Sequence, residues 1–202
     1  MKKIVFVTGN IGKVESAKRY FNDTDIELQW YKYDAVEPDI NDIKFIAEEK
    51  VMGAYKMTSE PCMALDAGFY INNFPGNPGF PGAFPKRELL DKIGLKGLLE
   101  IMSGVNDRSC YFMECLAYYD GNDLRYFYGV SKGSLATSIK GPNRQDKWSD
   151  LWSVFIPQNH IHTLSEMNDE ERYNRHDEHT SALEEFAKWC KEEPTLCRKY
   201  KK

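Results

Sequence analysis

Four consecutive apolar residues, Ile4-Val5-Phe6-Val7, run straight into Thr8-Gly9-Asn10, and no other stretch constrains the fold as much. A β-branched run without polar alternation is covered on both faces, as a strand inside a parallel sheet is. The glycine turn stops it, and a helix is predicted from about Gly12 to Phe21. A strand entering a glycine turn that opens a helix aims free backbone N–H groups and the positive helix end at an anion. Lys13 adds a charge at that point. The GxxxxGK[ST] spacing of a Walker loop is absent. On these residues alone, a phosphate site and an ordinary strand–turn–helix junction both stand.

Further along, Ile26 to Tyr33 reads as a second strand. A helix is predicted from about Ile43 to Met57, with Phe45, Ile46, Val51 and Tyr55 on its apolar face. Cys62 to Leu65 reads as a short strand ending at Asp66. Residues 72–87 are crowded with glycine and proline and are expected to be an irregular loop, followed by a helix near Arg87 to Ser103. Cys110–Tyr119 and Leu124–Lys132 form a candidate hairpin around Asp120-Gly121-Asn122. The segment 141–160 reads as irregular and tryptophan-rich, and a last helix runs from about Thr180 to Cys190. Helices and strands mix without strict alternation or repeats, which favours an α/β fold with some antiparallel sheet, in a single domain over 1–202.

Charge narrows the partners. With 27 basic against 31 acidic residues the net charge is -4, so a dedicated nucleic-acid surface is not expected. An anionic ligand must therefore be neutralised locally, by lysines, turn amides or a metal. No apolar run reaches the ~20 residues of a membrane span. Thr8-Gly9-Asn10 also cuts the first apolar segment short of a signal peptide. Five cysteines without CxxC spacing speak against a disulfide framework or structural zinc, and a cytoplasmic setting is expected.

Carboxylates stand at predicted element ends: Glu37 in an acidic turn, Glu48 and Glu49 on the helix after it, and Asp66 within an otherwise apolar stretch. Magnesium takes one or two such carboxylates plus phosphate oxygens, although any single one reads equally as a solvated acid. The loop GNPGFPGAFPK (76–86) would hold Phe84 and Lys86 over a ligand, or is purely structural.

The order TGNxxK, acidic turn, helix bearing Lys50, Asp66, then PG…PG-aromatic-x-Lys resembles the inosine triphosphate pyrophosphatase family from residue 3 to about 135. It continues in Arg87-Glu88-Leu89-Leu90-Asp91-Lys92, Gly97-Leu98-Leu99 and Gly133. The resemblance implies an elongated two-lobed α/β fold with a central nucleotide cleft, usually as a homodimer. It implies hydrolysis of a nucleoside triphosphate to monophosphate and pyrophosphate with Mg2+. Thr8, Asn10 and Lys13 would hold the triphosphate, with Lys50 and Lys86 on phosphates. Glu37 and Asp66 would bind the metal, Asp66 also activating water, and Glu37, Lys50 and Asp66 form the catalytic set.

Three departures matter. Leu65 stands where an acid usually precedes Asp66, so one metal contact or base is lost, or comes from Glu48 or Glu49. The family's base-stacking stretch is replaced by Asp146-Lys147-Trp148-Ser149-Asp150-Leu151-Trp152, in which Trp148 and Trp152 either stack on a base or pack in the core. The family's Ser-His-Arg signature before the last helix is absent, and Arg175-His176-Asp177-Glu178-His179-Thr180 stands in its place, with Asp177, Glu178 and His179 as candidate base contacts. Carboxylates accept from an exocyclic amine, which points away from inosine and xanthosine; alternatively, the two acids cap the helix after Thr180. His160 and His162 have ligand-like spacing but read first as loop histidines. A nucleotide-binding protein without catalysis is the competing function; a pure scaffold leaves Lys13, Glu37, Lys50, Asp66 and Lys86 unexplained.

Overall fold

The computed structural model describes residues 2–32, 39–175 and 179–192. The apolar run forms β1 (Lys2–Val7), followed by α1 (Ile11–Phe21), β2 (Ile26–Tyr31), α2 (Ile43–Thr58) and β3 (Cys62–Ile71). β1 pairs in parallel with β2 and β3, Val7 lying opposite Tyr31 on one side and Ala64 on the other. Parallel neighbours need crossovers, and α1 and α2 supply them. β4 (Pro81–Gly82), a π-helical turn over Pro85–Leu90 and α3 (Gly94–Ile101) come next. They lead to β5 (Ser109–Tyr119), β6 (Leu124–Leu135), a 3-10 turn over Asp150–Ser153 and β7 (Phe155–Pro157). α4 (Asp169–Tyr173), β8 (His179–Thr180) and α5 (Ala182–Glu192) complete the described order. Among the described residues the sheet order is β2-β1-β3-β5-β6-β7, with β4 on β3 and β8 on β6. β4, β7 and β8 pair antiparallel, so the expected mixed α/β class is what forms.

The chain divides into two compact units. The first is Met1–Asp66, Cys115–Gly129 and Ser181–Lys202; the second is Ala67–Glu114 and Val130–Thr180. In the first, successive side chains of a strand point to opposite faces, and helices cover each. Tyr118 and Phe127 meet Phe186 and Trp189 of α5, and Phe186 also meets Phe21 of α1. Tyr119, one residue on, points the other way and packs edge-on against Tyr55 of α2 at 4.8 Å. α2 buries Ile43, Ile46, Ala47, Val51 and Ala54. That stripe passes beside Phe45, which is 37% exposed, contrary to its expected place on the apolar face. Asp42 caps α2, its side chain accepting from the Lys44 and Phe45 amides.

The second unit is centred on Phe69, Leu89, Leu98, Met102, Leu151 and Phe155, with Phe112 between Phe69 and Phe155. The Arg108 guanidinium donates to the carbonyls of Met102, Leu135 and Ala136, tying β6 to the end of α3. A Cβ on Gly133 would stand 2.2 Å from the Ile156 carbonyl, so only glycine admits β7 at that register.

Several elements depart from expectation. The loop 72–87 contains β4 and begins the π-helical turn. The helix expected over 87–103 is split, because Gly94 at φ +69° breaks it before α3 starts. Segment 141–160 carries the 3-10 turn and β7. α4, closed by a capping box between Asn168 and Glu171, went unread because five residues show no helical period.

Candidate active site

The turn between β1 and α1 is built by its own polar side chains. Thr8 Oγ1 accepts from the Asn10 N–H at 3.1 Å, and Asn10 Oδ1 accepts from the Lys13 N–H at 3.2 Å as the N-cap of α1. The cap satisfies one first-turn amide of α1 at a helix start, the kind of position where an anion can bind. A third bond comes from outside: the Trp30 indole N–H donates to the Thr8 carbonyl at 2.9 Å. Sequence reading missed Trp30. The β2 alternation puts it on the face of Ile26 and Leu28, but no spacing links it to Thr8.

Two ammonium groups converge on adjacent residues of β3. Lys13 Nζ donates to the Leu65 carbonyl at 2.9 Å, and Lys50 Nζ pairs with Asp66 Oδ1 at 2.8 Å. Asp66 is 6% exposed, and the Lys50 and Asp66 side chains are 18% and 9% exposed. This pair is therefore shielded from the solvent screening that weakens surface ion pairs. Asp66 does not end its strand as expected. It sits within β3, which continues because Phe69 and Tyr70 find partners in β4.

Position 65 contributes through its backbone, its side chain being buried. Glu48, weighed as a replacement acid, accepts the Tyr126 hydroxyl at 2.5 Å, and Lys44 Nζ lies 4.6 Å from the Tyr126 ring centroid. Burial, then the Glu48 carboxylate, push the Tyr126 phenol above its usual range, so it stays protonated as the donor. Glu49 is exposed. Cys115 of β5 is fully buried; burial pushes its thiol up to about 12, the Tyr128 hydrogen bond only partly opposing this. That keeps the thiol protonated at neutral pH.

Thr8, Asn10, Lys13, Lys50 and Asp66 thus lie together in the first unit. Phe84, Lys86, Trp148, Trp152 and His179 belong to the second. Glu37, Asp177 and Glu178 lie outside the described residues. Lys86 is exposed, but Phe84 is buried and the Arg87 guanidinium covers its ring at 3.9 Å, so the ring face expected to meet a ligand is taken. Trp152 packs against the core of its unit with Arg172 5.3 Å from its ring, which favours packing over stacking; Trp148 is half-buried. His179 pairs with Ser131 across β6 and β8 and lines a small open pocket with Lys132, Gln158, His160 and Arg175. Among the described residues no three His, Cys, Asp or Glu side chains gather as a metal cage, His160 and His162 included. A shielded carboxylate suits a hard cation that draws other oxygens from phosphate and water, so Asp66 fits magnesium as one of its ligands.

No helix among the described residues is long and apolar enough to cross a membrane. Residues 4–189 match the model of the Ham1 family. The chain is 31% identical over 190 residues to the dITP/XTP pyrophosphatase of Thermococcus kodakarensis, covering 94% of this chain and 98% of that one. It is 30% identical over 187 residues to the dITP/XTP pyrophosphatase of Saccharolobus solfataricus, 93% of each chain. Its fold is that of a HAM1 protein from Coxiella burnetii, with a TM-score of 0.77 at 21% identity over 95% of this chain and 100% of that one. A match that runs over residues 4–189, nearly the whole chain, makes this protein a member of the Ham1 family.

Proposed function

We propose that this protein is a magnesium-dependent nucleoside triphosphate pyrophosphatase that releases a nucleoside monophosphate and pyrophosphate. The observation that carries this reading is the convergence of Lys13 and Lys50 on Leu65 and Asp66, beside the capped start of α1. The names of the relatives from Thermococcus and Saccharolobus support it.

In this reading the turn amides and Lys13 hold the triphosphate, and Lys50 offsets charge that builds up on the departing pyrophosphate. Asp66 orients a water molecule and takes its proton as the water oxygen bonds to the α-phosphorus. The bond from that phosphorus to the α–β bridging oxygen breaks, and pyrophosphate leaves with the electron pair. Bound magnesium would supply Lewis-acid neutralisation of the phosphate oxygens, with Asp66 and Glu37 as its protein ligands. Lys86 would contact the phosphates from its exposed position. A homodimer in the cytoplasm is the assembly and setting that go with this reading.

The base preference is shifted from inosine and xanthosine toward a base with an exocyclic amine, adenine-like or cytosine-like. Asp177 and Glu178 support this, since acids replace the family's Ser-His-Arg donors. The competing reading, a nucleotide-binding protein without turnover, draws on Leu65 in place of an acid. One assay separates them: pyrophosphate release over a panel of ribo- and deoxyribonucleoside triphosphates with magnesium. Turnover is expected, falling about 10²-fold or more in Asp66→Asn. No release from any triphosphate leaves the inert reading; a strong preference for inosine triphosphate ends the shifted base preference.

A further inference from the structure

Lys13 of α1 and Lys50 of α2 reach chemically different partners on β3. Lys13 rests on a neutral carbonyl, Leu65, whereas Lys50 is paired with a carboxylate, Asp66. Asp66 is the one described carboxylate that the proposed function assigns to the metal, and its Oδ1 already has a cation 2.8 Å away. Both side chains are largely out of water, so this pair is weakly screened and loses heavily if one partner is removed. A divalent ion arriving alone must either displace the ammonium or bind beside it against like-charge repulsion. A triphosphate changes that balance, because its oxygens give the Lys50 ammonium another anionic partner while bringing further ligands to the metal. Lys50 can make the exchange without rearranging the fold. Its backbone is fixed by the buried neighbours Ala47 and Val51 in α2, so only the torsions of its own stem need to turn.

We infer that Lys50 is a positioning residue that guards Asp66 against free cations, so that metal and triphosphate are taken up together. The inference rests on the proposed role of Asp66 and adds an order of binding to it. Its consequence is that the substrate-free protein binds divalent metal weakly, and that removing the Lys50 charge tightens this binding while impairing turnover.

The test is titration of the substrate-free protein with Mn2+ alone, following the electron paramagnetic resonance signal of the free ion. Lys50→Met is expected to bind Mn2+ about tenfold more tightly than the unaltered protein, a difference of about 1.4 kcal/mol. Lys50→Arg, which keeps the charge, should stay weak, and Lys50→Met combined with Asp66→Asn should lose the gain. A structural role for Lys50 alone would not produce tighter binding. Equal Mn2+ affinity in the unaltered protein and Lys50→Met overturns the inference, as does a gain that survives Asp66→Asn. Pyrophosphate release separates the two levels. If Asp66→Asn abolishes it but Lys50→Met does not tighten Mn2+, only the guarding role falls. If Asp66→Asn turns over normally, the role of Asp66 falls and the guard with it.

Discussion

Trp30 and Asn10 hold the same turn by bonds of different origin, one from a neighbouring strand and one from within the turn. The Trp30 indole is 44% exposed, so its stacking surface adds little; its hydrogen bond to the Thr8 carbonyl is what fixes where the turn amides point. Trp30→Phe keeps an aromatic ring, though a smaller one, and deletes that bond, a loss of about 1 kcal/mol. The KM for the preferred triphosphate should rise about fivefold with kcat nearly unchanged; an unaltered KM in steady-state kinetics would deny Trp30 this role. That Thr8, Asn10, Lys13 and Asp66 lie together was legible in the sequence, because the first three follow one strand at fixed spacing and Asp66 breaks an apolar run; Lys50 came only through the family resemblance. The partners they use were not legible. Trp30 lies 22 positions from Thr8 and Leu65 lies 52 from Lys13, and contacts at such separations leave no periodic trace. Phe84 misled for a similar reason, since nothing in GNPGFPGAFPK says that Arg87 folds back over its ring.

Among the elements, the loop from 144 to 146 and α4 are joined by two arginines and two aspartates. Arg172, with a side chain 3% exposed, donates to Asp146 at 2.9 Å, to Asp169 and to the Met167 carbonyl. Arg144 reaches Asp146 and Asp169 from the other side of the sequence. Removing the buried partner strands the others, so Arg172→Met should cost about 3 kcal/mol in urea denaturation. Asp146 gives this cluster a pH signature. Partial burial pushes its carboxyl up, but the Arg144 hydrogen bonds and the Arg172 and Arg144 charges outweigh that and hold it below the usual carboxylate value. A depressed folded-state value contributes stability above the unfolded value, ~3.9, that is lost as pH falls through the folded one. The stability advantage over Asp146→Asn should therefore be flat from neutral pH to about 5 and shrink below about 4; a difference independent of pH down to 2 would contradict it. The tryptophan-rich segment hid this cluster because Asp146 and Arg172 are 26 residues apart. β1, α1, α2 and the β5–β6 turn were readable from local pattern. β4, β8 and the length of β3 depend on partners across the sheet, which local pattern does not carry.

At the scale of the molecule, the α/β class followed from apolar period and turn chemistry, whereas the division into two units did not. It could not have done, because three of the four chain crossings between units fall inside strands β3, β5 and β6. A strand that supplies residues to both units cannot melt in one and persist in the other without losing its own ladder. Unfolding should accordingly be a single transition. The tryptophans report on it separately, Trp30 and Trp189 from the first unit and Trp148 and Trp152 from the second. Variants retaining only one pair should give coincident urea midpoints; two midpoints well apart would show that the strands uncouple. The outermost piece of the first unit has a consequence for biosynthesis. Leu183 and Phe186 of α5 are wholly buried in a unit whose opening strand is made first. The Thr8-to-Lys13 turn must therefore wait, on the ribosome, until α5 has emerged before its scaffold closes, and a nascent chain stalled short of α5 would leave Phe21, Tyr118 and Phe127 open to chaperones.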